Sequence, residues 1–194
     1  MSRIVVGNGV DLALVLLRYD LRNKRFEDRT LRILETVLVA KDVKSLVDAR
    51  SASQEVLRSE VVPIMGEITG RDIDEKLRVA EFFVKAFALV GDIESFMAIK
   101  YEVLILRELK HMSNPCLQVL YEEWISFALE SFNYGFYSIA IKGFDNALLC
   151  IHSSNRNINL QAPLKTEEII KKIKKHRDRA LALTSSHSGT YMIY

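Results

Sequence analysis

The chain has 194 residues, of which 49% are apolar and 27% charged, with only eight Gly and three Pro. Such a length fits one domain, or one domain with a tail, and so few turn residues argue against an all-β fold. No apolar run approaches about 18 residues, so no membrane-spanning helix is expected.

In chain order, residues 1–27 read as an irregular lead-in with a candidate short helix over 10–21. Arg3 followed by apolar stretches has the look of a secretion signal, but Asp11 splits the stretch and no small-residue cleavage site follows. From residue 28, Leu31, Leu34, Val37 and Leu38 recur at helical spacing, with Asp28 or Thr30 as cap candidates. A second helix is expected over 42–58, interrupted afterwards by Pro63, Gly66 and the break at 69–72. Asp72 or Asp74 then opens an apolar helix to residue 90, carrying Leu77, Ala80, Phe82, Phe83, Phe87 and Leu89. Gly91-Asp92 ends it and opens the next helix, to about residue 109. Ser113-Asn114-Pro115 is a turn, and helices follow over 117–132 and 136–152. The resulting division is a lead-in (1–27), an all-α helical-repeat domain (28–152), a polar linker (153–165), a basic helix (166–183) and a disordered tail (184–194).

The domain is self-similar. Lys41-Asp42-Val43-Lys44-Ser45 and Gly91-Asp92-Ile93-Glu94-Ser95 share a pattern, and Gly135-Phe136-Tyr137-Ser138 is a shorter third copy. Periods of this length indicate stacked helical hairpins. The third copy resembles a tetratricopeptide repeat. Trp124, Phe127 and Ala128 occupy its first-helix positions, Gly135 its turn, and Tyr137, Ala140, Phe144 and Ala147 its second helix. The alanines are small where helices cross, and the large rings fill the groove between them. The fold expected is tetratricopeptide-like, either an α-solenoid or a closed helical bundle. Exposed apolar surface on terminal repeats would favour a homodimer.

Chemistry is sparse. His111, Cys116, Cys150 and His152 are zinc-ligand types, but their H-x4-C and C-x-H spacings match no usual zinc pattern, so no metal is expected. Two cysteines make no disulfide framework in a chain this long and suit a reducing compartment. Gly7-Asn8-Gly9 lacks the Lys-Ser/Thr of a phosphate loop. Asp72, Asp74 and Glu75 are charges that a helix N-terminus favours. Ser186-His187-Ser188 lies in a tail that cannot preorganise a nucleophile. No catalytic centre and no cofactor are expected. A small helical enzyme with an unrecognised site stays as a rival, marked by a deep pocket of clustered ionisable groups.

The net charge of +2 is uneven, because residues 165–179 hold seven Lys or Arg against three Asp or Glu. Lys171, Lys172, Lys174, Lys175, Arg177 and Arg179 are candidates for nuclear import or for phosphate contact with DNA or RNA. The plain alternative is a solvated helix face with Ile169, Ile170, Ile173, Leu181 and Leu183 packed beneath.

Several stretches resemble a plant family known as DOUBLE-STRAND BREAK FORMATION, needed to initiate meiotic recombination. They are residues 30–35 (TLRILE), 41–46 (KDVKSL), 81–95 (EFFVKAFALVGDIES), 101–110 (YEVLILRELK) and 135–140 (GFYSIA). The resemblance implies a nuclear, non-enzymatic accessory protein that helps assemble a topoisomerase-VI-like DNA-cutting complex. The cutting tyrosine would belong to a partner, and no residue here inherits a catalytic role. The basic C-terminal segment is a departure that the resemblance does not explain. The alternatives are a nucleic-acid-binding helical protein and a helical-repeat adaptor unrelated to meiosis.

Overall fold

A computed structural model describes residues 7–39, 42–157 and 163–188. Among these residues the protein is all-α. The helices are α1 (Gly7–Arg22), α2 (Asp28–Val37), α3 (Val43–Glu67), α4 (Ile73–Val90), α5 (Ile93–His111), α6 (Tyr121–Asn133), α7 (Tyr137–Asn157) and α8 (Pro163–Ser188). A 3-10 turn, Pro115–Leu117, precedes α6. The chain divides into two compact units, residues 1–109 and 110–194.

In the first unit α1 to α4 share one core. Leu17 and Leu21 of α1, Leu34 of α2, Val56, Leu57, Val61 and Ile64 of α3, and Phe83, Phe87 and Val90 of α4 are buried together. Phe26, Phe82 and Phe83 form a ring cluster with centroids 5.4 to 6.0 Å apart, and Phe83 stacks on Phe87 at 6.0 Å. Polar groups tie the helices at named points. Glu60 of α3 is buried and accepts from Arg22 Nε at 3.0 Å. Thr30 donates to the Arg25 carbonyl at 2.8 Å and to Asp20 at 3.3 Å.

Several boundaries differ from the sequence expectation. The lead-in contains a full helix, α1, because Leu17 and Leu21 supply a buried face. α3 runs through Pro63 instead of ending at residue 58. Proline removes one intrahelical bond, but the buried stripe that includes Val61 continues beyond it at Ile64 and Ile68, and Pro63 itself faces solvent. The polar linker shrinks, since α7 continues to Asn157 and α8 starts at Pro163, where proline's missing N–H has no helical partner to lose. α8 likewise reaches Ser188, into the segment expected to be a disordered tail. The rest of that tail, 189–194, and linker residues 158–162 lie outside the described residues.

The self-similarity has a local explanation in helix termini. Asp42 and Asp92 both precede a helix and accept from the backbone N–H of the serine three residues on, at 2.9 and 3.2 Å. Gly91 and Gly135 both adopt left-handed backbone, φ 66° and 82°. Each closes the same paired hydrogen-bond turn: Gly91 N–H to Ala88 and Asp92 N–H to Phe87, then Gly135 N–H to Phe132 and Phe136 N–H to Ser131. Lys24 ends α1 in the same way at φ 57°, although it carries a side chain.

Asp92 also accepts from Arg58 Nε at 2.6 Å and Nη2 at 2.8 Å, which fastens the start of α5 to α3. Gln54 adds a bond from its amide to the Val90 carbonyl at 3.0 Å. Burial by itself would raise the Asp92 carboxyl. The Arg58 guanidinium and the hydrogen bonds from Ser95 outweigh it and hold the group below the usual carboxylate range.

Candidate interaction surface on the hairpin and the basic helix

In the second unit α7 packs against both α6 and α8. The α6 N-terminus has no capping side chain at Leu120. Instead Glu123 reaches back to accept from the Leu120 N–H at 3.2 Å. Within the hairpin, Trp124, Phe127 and Ala128 of α6 and Ala140, Phe144 and Ala147 of α7 are all buried. Gly135 forms the turn described above, and Tyr137 meets Phe132 edge-on at 5.4 Å. Six of the eight positions singled out in the sequence are thus buried in the hairpin core, while Tyr137 is half-buried and Gly135 is the exposed turn.

The residue that sets the closest approach is one the sequence reading passed over. A Cβ at Gly143 would stand 2.9 Å from Ala128 Cβ and 3.1 Å from a ring carbon of Phe127. The available signal was a glycine in mid-helix, between Ala140 and Ala147 at intervals of three and four residues.

α8 lies over α7 through Ile173 and Ala180, both buried. This packing divides the six basic candidates. Arg177 Nε reaches Asp145 of α7 at 2.6 Å, and the Arg179 guanidinium sits 5.5 Å above the Phe132 ring. His176 stacks on Phe144 at 6.0 Å. Lys171, Lys172, Lys174 and Lys175 are exposed, as is Arg179, while Arg177 is half-buried. Lys171, Lys174 and Lys175 line one shallow open groove with Glu167, Ile170 and Asp178. The two carboxylates temper that face, so its positive charge is local and modest.

The residues considered for zinc do not gather, although His111 Nδ1 is buried without a hydrogen-bond partner among the described residues. His111 ends α5, Cys116 is exposed, and Cys150 is half-buried with its sulfur 3.9 Å from the Val119 carbonyl. His152 is exposed. Among the described residues no three His, Cys, Asp or Glu side chains gather as a metal site. Asp72 caps α4 by accepting from the Asp74 N–H at 3.2 Å. Among those residues, too, no helix is long and apolar enough to cross a membrane.

Over 176 residues the chain is 44% identical to Protein DOUBLE-STRAND BREAK FORMATION of Arabidopsis thaliana, a match covering 88% of this chain and 74% of that protein. The chain belongs to the DOUBLE-STRAND BREAK FORMATION family. No family model matches it, and no solved structure matches it. The stretches that carry the family resemblance are helices and their caps. Residues 30–35 lie in α2 and 101–110 in α5, while 81–95 span the Phe82–Phe83–Phe87 core and the Asp92 cap.

Proposed function

We propose that this protein is a non-enzymatic accessory factor of meiotic double-strand break formation. It acts in the nucleus by holding partner proteins, among them a topoisomerase-VI-like complex that performs the cutting. The observation that carries this reading is the 44% identity to Protein DOUBLE-STRAND BREAK FORMATION, spread over 88% of the chain. The helical architecture supports it, because closely packed helices present rigid faces for partners. Expressing the chain in an Arabidopsis mutant lacking its relative tests the idea. Restored meiotic break foci and chromosome pairing are expected, and an unrescued mutant with the protein present in meiotic nuclei would sink it. The partner-holding part has its own readout. Immunoprecipitation from meiotic cells should recover break-formation proteins, and a precipitate without any overturns that part.

A second reading rests on α8. Lys171, Lys172, Lys174 and Lys175 are exposed, whereas Arg177 is half-buried on Asp145; Arg179 is exposed too, with its guanidinium over the Phe132 ring. If the four lysines touch DNA phosphates, affinity falls with salt on a log–log slope of at most about −3.6. Changing all four to Ala should abolish that dependence. Binding that is indifferent to salt rules the contact out. In that case, failure of the same variant to enter nuclei as a fluorescent fusion assigns the lysines to import.

A further inference from the structure

α1 has a second apolar face that its own unit leaves uncovered. Leu17 and Leu21 turn into the core. Leu12, Val15, Leu16 and Tyr19 are 61%, 64%, 46% and 54% exposed. Their positions follow the spacing by which helices pack on one another, and they form one stripe two turns long. A single exposed leucine is unremarkable, but a contiguous stripe at this spacing marks an interaction face.

The ends of the stripe carry opposite charge. Asp11 lies at its N-terminal end. Arg18 lies towards its C-terminal end, and Arg22 follows one turn on. These two guanidiniums share a single buried carboxylate, Glu60, at 3.4 Å from Arg18 and 2.8 Å from Arg22. Glu60 balances only one of these two charges, while exposed Glu55 of α3 lines the same groove as Arg18 and tempers the other. Beside the stripe, between α1 and α3, runs a groove of about 280 Å³ lined by Asp11, Leu14, Val15, Arg18, Glu55 and Val56, among others.

We infer that α1 is a homodimer surface, on which the stripe packs antiparallel against the same stripe of a second copy. A twofold axis near Val15 and Leu16 brings Leu12 of each copy to Tyr19 of the other. It also sets each Asp11 near the other copy's Arg18. Parallel packing would instead oppose Asp11 to Asp11 and Arg18 to Arg18. A face with acid at one end and base at the other is thus self-complementary only in the antiparallel sense. The groove beside Val15 has room for side chains of the incoming helix. Two such stripes bury on the order of 1,000 Å², which belongs to weak, reversible association. This inference does not depend on the role in break formation.

Sedimentation of the full chain over the micromolar range tests it. A concentration-dependent monomer–dimer equilibrium is expected. Leu12→Ser with Leu16→Ser should weaken it at least tenfold while the helical circular dichroism stays unchanged, since both side chains already face solvent. Asp11→Arg should weaken it too, and adding Arg18→Asp should recover part of the loss, with Arg22 still holding Glu60. Orientation is read by oxidation in a Cys116→Ser background. Val15→Cys should cross-link to itself, and Leu12→Cys should cross-link to Tyr19→Cys but not to itself. A monomer throughout, a dimer indifferent to the Leu12 and Leu16 changes, or Leu12→Cys joining itself each overturns the inference.

Discussion

At Gly143 a single methyl group decides how two helices meet. A Cβ there collides with Ala128 Cβ at 2.9 Å and Phe127 at 3.1 Å, so Gly143→Ala must push α6 and α7 apart. The expected loss is about 2 kcal/mol by urea unfolding, despite alanine's better helix propensity. An equal or higher midpoint would mean that the hairpin has slack. At the left-handed turns the limit is backbone rather than space. Nothing crowds a Cβ at Gly135, and at Gly91 only Arg50 Nη1 comes within 4.0 Å. Gly91→Ala and Gly135→Ala should each cost about 1 kcal/mol through positive φ alone. Lys24 holds that conformation with a side chain. Lys24→Gly should therefore stabilise by several tenths of a kcal/mol, after allowing for its exposed ion pair with Glu67. Asp92 couples the fold to acid. Its carboxyl is held below its unfolded value of about 3.9, so its contribution is complete above that pH and fades as pH falls through the lower folded value. Asp92→Asn should destabilise at pH 7 and converge with the parent once pH has fallen below the lowered folded value. A constant gap between the two at all pH values would contradict the assignment.

At the scale of the element, α3 and α8 show packing overriding local preference. α3 continues through Pro63 because the buried stripe of Val56, Leu57, Val61 and Ile64 runs past it. Pro63 faces solvent, so Pro63→Ala should restore a helical bond and raise the urea midpoint by the equivalent of about 1–2 kcal/mol. α8 is held by a narrow apolar seam and by contacts from its basic residues. Ile173→Ala should cost about 2–3 kcal/mol and expose α8 amides to faster hydrogen exchange. Unchanged exchange would mean that Phe144–His176 stacking and the Arg177–Asp145 pair suffice to dock it. The lysine cluster was legible as a charge run. Its division between solvent and hairpin was not, because that depends on which α7 residues lie beneath each turn of α8.

At the scale of the molecule, composition and periodicity made the all-α class, most helix positions and the aromatic core of α4 readable. Family membership was readable as well, since helix and cap residues identify it as clearly as a catalytic motif would. The order of elements and the capping types follow from short-range chemistry: a carboxylate beside free N–H groups, and a glycine where φ must be positive. Such rules act over about one helical turn and need no knowledge of the fold. Tertiary structure alone decided which of two apolar faces α1 buries, because Leu12, Val15, Leu16 and Tyr19 are as apolar as Leu17 and Leu21. It alone decided that Pro63 does not end a helix, that Gly143 sets the hairpin spacing, and that Arg177 is half-buried on Asp145 while four lysines face water. Each of these is settled by what another helix places opposite the residue, and burial between helices outweighs any single residue's own preference.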